Sequence, residues 1–173
     1  MNGEIAPTRA ITLKELRNTP GFPSQERMSL GRVAVIECPE EIPCNPCEFA
    51  CPKGAIKIGQ PITNLPQLIE ERCDGCGICI PSCPGLAIFI VDLTYSKTQA
   101  LVEFPHEFLP LPKEGQEVDA TDRQGKVLTK GRVVKVRNPK DYNSTPVISL
   151  TVPKRYANEV RDISRRSSNW MTK

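Results

Sequence analysis

Short apolar runs, separated by polar connections marked with proline and glycine, set the reading of this chain. Residues 32–37 alternate, with Val33 and Val35 on one face, and residues 53–58, 67–71 and 86–91 are further brief apolar stretches. Each predicts a strand. Downstream, Glu117–Thr121 and residues 126–130, 132–137 and 147–152 are β-rich, with Asp122-Arg123-Gln124-Gly125 and Asn138-Pro139 as turn signals between them. Four or five short strands in about 50 residues predict a small barrel or curled sheet. Tyr156, Val160 and Ile163 fall at i, i+4 and i+7, which predicts a terminal helix over residues 154–163. Near the start, Thr12 and Glu15 are spaced for a capping box. The helix they open is short, because Pro20-Gly21 and Pro23 follow.

The cysteines change the picture. All eight fall into two runs, Cys38-x5-Cys44-x2-Cys47-x3-Cys51-Pro52 and Cys73-x2-Cys76-x2-Cys79-x3-Cys83-Pro84. The second run has the bacterial iron–sulfur spacing unaltered, and the first departs from it by a longer gap after Cys38. The runs belong to a duplication. Cys44, Cys47, Cys51, Pro52, Ala55, Ile56 and Ile58 recur 32 residues later as Cys76, Cys79, Cys83, Pro84, Ala87, Ile88 and Ile90. Each half reads as ligand loop, short helix and apolar strand. Gly54, Gly75, Gly77 and Gly85 permit close approach of backbone to a metal centre, and their amides are candidate donors to its sulfurs.

Two other chemistries compete for these thiols. A disulfide framework needs an oxidising compartment, and the N-terminus reads as free of an apolar signal segment, so a cytoplasmic setting is expected. Zinc sites commonly show two CxxC pairs a dozen or more residues apart. Here a third and fourth cysteine and a proline follow each pair at once. Thiolate ligands alone do not separate zinc from iron–sulfur; the spacing favours iron–sulfur.

Residues 32–93 resemble a bacterial-type ferredoxin domain binding two [4Fe-4S] clusters, with CP-x-x-A-I after each ligand run. The resemblance implies that the fourth cysteine of each run serves the other cluster. One cluster would then take Cys38, Cys44, Cys47 and Cys83, and the other Cys73, Cys76, Cys79 and Cys51. The insertion from Pro39 to Pro43 is a departure from the family pattern. It leaves two readings for Cys38, ligation or a three-cysteine site holding a [3Fe-4S] cluster, of which ligation is preferred because the flanking prolines stiffen the loop. The expected fold class is α+β: a ferredoxin-type dicluster domain with a pseudo-twofold repeat, a small C-terminal β-rich, barrel-like domain and a terminal helix. The expected units are an N-terminal arm (1–31), the dicluster domain (32–93), the β-rich domain with its helix (94–163) and a polar tail (164–173). The arm is too polar to form its own core, and reads as a loose tail or as a strap around another subunit. Trp170 is a candidate partner contact in the tail.

Charge is uneven. Residues 1–31 carry +1, residues 32–93 carry −4 and residues 94–173 carry +6, within a chain of net charge +3. The basic extension reads as a solvated face or as a docking segment for the acidic unit or a partner. It lacks the interleaved aromatics of a nucleic-acid surface, so no nucleic acid is expected, and no stretch is long enough for a membrane span. The sole histidine, His106, between Pro105 and Glu107, is read as a surface residue, which leaves no histidine-activated nucleophile. No dinucleotide or Walker loop appears. The chain therefore reads as wiring without a catalytic centre of its own.

Beyond the ferredoxin core, Cys44-Asn-Pro-Cys47-Glu, Cys83-Pro-Gly-Leu-Ala-Ile-Phe and Gly131-Arg-Val-Val-Lys-Val-Arg-Asn resemble the iron–sulfur subunits of flavin-dependent dehydrogenases acting on proline, hydroxyproline, sarcosine or opines. That resemblance implies a hetero-oligomer in which partner flavoprotein chains supply FAD or FMN, the substrate pocket and a [2Fe-2S] centre. The alternatives are a stand-alone soluble ferredoxin with accessory segments and a zinc-stabilised interaction protein.

Overall fold

The computed structural model describes residues 10–164. Two short helices, α1 (Leu13–Leu16) and α2 (Gln25–Ser29), precede the first strand, β1 (Val33–Ile36). The ligand region then contributes α3 (Pro46–Ala50), β2 (Ile56–Lys57), β3 (Gln67–Leu68) and α4 (Cys79–Ser82). Further strands follow: β4 (Ile88–Asp92), β5 (Gln99–Pro105), β6 (Glu117–Thr121), β7 (Val127–Arg137), β8 (Val147–Pro153) and, after a 3-10 turn at Lys154–Tyr156, the short β9 (Asp162–Ile163). Among the described residues no helix is long and apolar enough to cross a membrane.

Seven strands form one antiparallel sheet in the order β1-β4-β5-β8-β7-β6-β9, while β2 and β3 form a separate ribbon. Every residue of β1 and β4 is buried, as their unbroken apolar sequences require of strands covered on both faces. One apolar core runs from Met28 through β1 and β4 to Val160 and Ile163. The boundary expected at residues 93–94 falls in the β4–β5 connection, and the sheet passes straight across it through the pairs Ile90↔Glu103 and Val91↔Val102.

The sheet's outer strands, β1 and β9, are joined by side chains. Glu37, just past β1, accepts from Arg123 Nε and Nη2 at 2.7 and 2.6 Å and from Arg161 Nε at 2.7 Å. Arg161 is buried, and its guanidinium lies 4.7 Å from the centre of the Phe89 ring of β4. Burial pulls its pKa down to about 10, against the opposing pull of Glu37, so it remains charged at neutral pH.

Three expectations are corrected. Residues 154–163 are not a helix: the 3-10 turn ends at Tyr156, Arg161 N donates to Thr121 O at 2.9 Å, and Ile163 pairs with Ala120 in the sheet. Val160 and Ile163 do face the core, but through a turn and a strand, with backbone bonds to β6 replacing those of a helix. The described part of the arm is not a loose tail. Leu16 and Met28 are fully buried, Ile36 N donates to Gly21 O at 3.0 Å, and Leu68 N donates to Pro20 O at 2.9 Å. Its few apolar side chains fill the domain's own core. His106 is buried rather than superficial, with Nδ1 2.8 Å from Asp162 Oδ1 and its amide bonded to Pro146 O at the end of β5. The capping box is present, with Glu15 N donating to Thr12 Oγ1 and Thr12 N to Glu15 Oε2. Residues 1–9 and 165–173, with Trp170, lie outside the described residues.

Candidate metal centre

The ligand loops and short helices place the eight cysteines in two groups. Cys38 follows β1, Cys44 precedes α3, Cys47 lies within α3, and Cys51 caps its C-terminal end. In the second half Cys73 ends a 3-10 turn, Cys79 opens α4, and Cys83 caps it. Because each short helix turns its last cysteine away from its own loop, the groups are exchanged. Cys38, Cys44, Cys47 and Cys83 line one small cavity. Cys51, Cys73, Cys76 and Cys79 line another. Ile36, Ile42, Ile58 and Ile88 wall the first, and Ala34, Ile56 and Ile90 the second, so both are shielded by apolar side chains.

The duplication is visible atom by atom. Gly54 N donates to Cys51 O, and 32 residues on Leu86 N donates to Cys83 O, both at 3.1 Å. Ala55 N approaches Cys51 Sγ at 3.2 Å, and Ala87 N approaches Cys83 Sγ at 3.4 Å. Ala55 O accepts from Ile69 N at 2.7 Å, and Ala87 O from Glu37 N at 2.8 Å. A third amide, Ala34 N on β1, points at Cys73 Sγ at 3.4 Å. Amides aimed at sulfur stabilise the thiolate form that binds metal. Gly54, Gly75 and Gly77 have the positive φ that only glycine takes freely, while Gly85 does not. The donors are alanines, which no sequence signal marks as such.

The thiols perturb one another within each group. Burial, and then the neighbouring Cys83 and Cys44 sulfurs, push Cys47 up to about 11 and raise Cys38 as well. Burial chiefly raises Cys79, followed by Cys73, Cys76 and Cys51, and Cys76 is raised in the same way with Cys51 contributing. The repulsions therefore trace the same two quartets as the cavities. Among the described residues, no group of three or more His, Cys, Asp or Glu side chains is placed to hold a single metal ion. Each cavity presents four cysteines, and such an all-thiolate set fits an iron–sulfur centre.

Charged side chains from three parts of the chain gather behind the ligand loop of the second cavity. Arg27 Nη2 donates to Cys73 O at 2.5 Å and to Arg32 O at 2.7 Å. Glu103 of β5, only 5% exposed, accepts from Arg32 Nη2 at 2.7 Å, Arg137 Nη2 at 3.0 Å and Ser149 Oγ at 2.7 Å. Arg137 Nη1 also reaches Cys76 O at 3.4 Å. The β-rich extension thus holds the Cys73–Cys79 loop directly. Gly77 leaves room for this, since a Cβ there would stand 3.0 Å from Arg137 Nη2 and 3.2 Å from Glu103 Oε2, and Gly75 leaves room for Arg32, whose Cβ would lie 2.5 Å from a Cβ at 75.

Comparison with known proteins agrees with the donor set. Residues 38–94 match the model of the LdpA Fe-S cluster-binding domain. The chain is 36% identical over 59 residues to the ferredoxin-type protein NapF of Haemophilus influenzae, a match covering 30% of this chain and 31% of that protein. It is 40% identical over 47 residues to one subunit of an ion-translocating oxidoreductase complex of Methanosarcina acetivorans, covering 27% of this chain and 17% of that protein. A longer match, 30% identical over 122 residues, is to Protein Pixie of Drosophila melanogaster, covering 56% of this chain and 19% of that protein. The chain spans less than a third of the length of each of these relatives. No solved structure matches. The cysteine-bearing region thus matches an iron–sulfur cluster-binding domain and is similar to ferredoxin-type proteins, which supports iron–sulfur electron transfer as its chemistry.

Proposed function

We propose that this chain carries two [4Fe-4S] clusters, one held by Cys38, Cys44, Cys47 and Cys83 and the other by Cys51, Cys73, Cys76 and Cys79. In this reading it is a subunit of an oxidoreductase, passing single electrons between a partner flavoprotein dehydrogenase and an external acceptor or donor. The observation that carries the proposal is the exchange of Cys51 and Cys83 between two separate cavities, each with four cysteines in its wall. A bound [4Fe-4S] centre changes by one electron, whereas flavins deliver electrons in pairs, so two centres in one domain suit the task of dividing a pair. The chain's own residues supply the rest. The isoleucine walls exclude water, and the amides of Ala34, Ala55 and Ala87 stabilise thiolate charge. Cys38 lines the first cavity despite the insertion after it, which supports a four-cysteine site there.

The subunit role is supported by the dehydrogenase-like stretches around Cys44, Cys83 and Gly131, and by a relative that is itself named as part of an oxidoreductase complex. Anaerobic purification with metal and sulfide analysis tests the clusters: iron and acid-labile sulfide at about eight each per chain are expected. A colourless zinc protein would end the reading. Anaerobic capture from native cells tests the partner, with a flavoprotein expected to co-purify; a holo-monomer that captures none would favour the stand-alone ferredoxin.

A further inference from the structure

The two cysteine quartets sit in unlike electrostatic surroundings. Behind the Cys51, Cys73, Cys76 and Cys79 cavity stand three guanidinium groups. Arg27 and Arg137 donate to the carbonyls of Cys73 and Cys76 themselves, at 2.5 and 3.4 Å. Arg32 and Arg137 share the single carboxylate of Glu103. In the cavity wall itself, Lys53 and Asp74 offset each other as an ion pair at 3.5 Å. Glu26, Glu70 and Glu71 line the same recess as Arg27 and Cys73, but the charges bonded to the ligand loop's own carbonyls are the two guanidiniums of Arg27 and Arg137, so this side is the more positive of the two. Around the Cys38, Cys44, Cys47 and Cys83 cavity the charged residue in the wall is Glu40, an exposed carboxylate. Glu37, beside Cys38, and Glu159 are together offset by Arg123 and Arg161, which leaves the charge of Glu40. The balance there is negative.

Reduction adds negative charge to a cluster, so nearby cations favour the reduced form and nearby anions oppose it. The effect is strongest where burial limits solvent screening, as it does around Glu103. We propose that Arg137, with Arg32 and Arg27, makes the centre at Cys51, Cys73, Cys76 and Cys79 the more easily reduced of the two, while Glu40 holds the other centre lower. Arg137 brings the β-rich extension into the order of the two centres along the electron path, together with Arg27 of α2 and Arg32 beside β1. This rests on the two-cluster reading proposed above.

The test is an EPR-monitored redox titration of the anaerobically purified full chain, with dithionite as reductant. Arg137→Gln is expected to lower the midpoint of the higher-potential signal alone, and Arg137→Lys, which keeps the charge, to restore it towards the parent value. Glu40→Gln is expected to raise the lower-potential signal alone. Because Glu40 is exposed, this variant carries the test should Arg137→Gln fail to load. The ordering is overturned if Arg137→Gln shifts the lower signal, if either variant shifts both signals equally, or if Glu40→Gln shifts neither. An iron content near four per chain, measured on the same samples, would instead sink the two-cluster reading, and the ordering with it.

Discussion

Gly54 and Leu86 stand at the same place in the two halves of the duplication and share a left-handed backbone, with φ of +57° and +52°. Each follows a capping cysteine by three residues and donates its amide back to that cysteine's carbonyl. Glycine takes this conformation freely, whereas a leucine is strained there by about 1–2 kcal/mol. Leu86→Gly should relieve that strain, offset by the loss of the partly buried side chain. Chemical denaturation of the loaded protein is expected to show a change within about 1 kcal/mol. A loss of several kcal/mol would show that the Leu86 side chain, not its backbone, matters.

The buried pair of Glu37 and Arg161 joins the two outer strands of the sheet, and Glu37→Gln would leave the buried Arg161 guanidinium with the carbonyls of Ala157 and Val160 as its partners. Glu37→Gln is expected to cost about 3–5 kcal/mol. Denaturation of the double variant Glu37→Gln with Arg161→Met should show a smaller loss than the sum of the single changes. Strict additivity would mean that the pair does not act as a unit.

Exchange of the capping cysteines makes a counterintuitive prediction. Cys83→Ala should damage the centre formed with Cys38, Cys44 and Cys47, and Cys51→Ala the centre formed with Cys73, Cys76 and Cys79. EPR of the two variants should show loss of different signals. Cys38→Ala should leave a three-iron signal in place of one four-iron signal, and unchanged spectra would remove Cys38 from the site.

Gly75→Ala should disrupt the second ligand loop. The added Cβ would meet the Arg32 backbone and side chain at under 3.0 Å, at a residue whose φ is +68°. Iron content is expected to fall, with loss confined to the centre at Cys73, Cys76 and Cys79. Equal loss from both centres would point to general misfolding.

Loading should depend on pH. Burial and the neighbouring Cys83 and Cys44 sulfurs push the Cys47 thiol from 9.0 up to about 11, so it holds its proton at neutral pH and must release it to metal. Reconstitution should therefore release protons and run faster as pH rises from about 7 to 9. For the metal-free chain the sign is opposite. A raised thiol pKa contributes stability below the unfolded value of 9.0 that is lost as pH rises through about 11. Proton release on anaerobic loading, followed with an indicator dye, checks the first effect, and alkaline unfolding of the apo-protein checks the second.

The two cysteine runs are legible in the sequence because their spacing follows local backbone, a tight loop, one helical turn and a capping residue, whereas their exchange into quartets is implied by the ferredoxin resemblance. The sheet is less so. Gln99–Pro105 escapes a reading by segments although Ala100, Val102 and Phe104 alternate, because it falls between the assumed end of the dicluster unit at residue 93 and the β-rich run read from Glu117. Residues 126–130 and 132–137 read as two strands broken at Gly131, yet they form one, β7. That glycine marks contact rather than a turn, since a Cβ there would stand 2.8 Å from the Leu150 side chain. The false helix over 154–163 arises because a turn followed by a strand can bury the same apolar positions. Arg27, Arg32, Glu103 and Arg137 carry no local signature at all, since their role exists only once strands distant in sequence bring them to one loop.

The shared sheet also limits how the chain can be shortened. A minimal electron carrier cut after residue 93 would keep every cysteine but lose β5, leaving Ile88–Asp92 as a bare apolar edge open to pairing with other molecules. The same cut would remove Glu103 and Arg137 from the loop that carries Cys76. A graft built for biotechnology would have to take the extension along with the metal, because the supporting strands and the ligand loops are parts of one object.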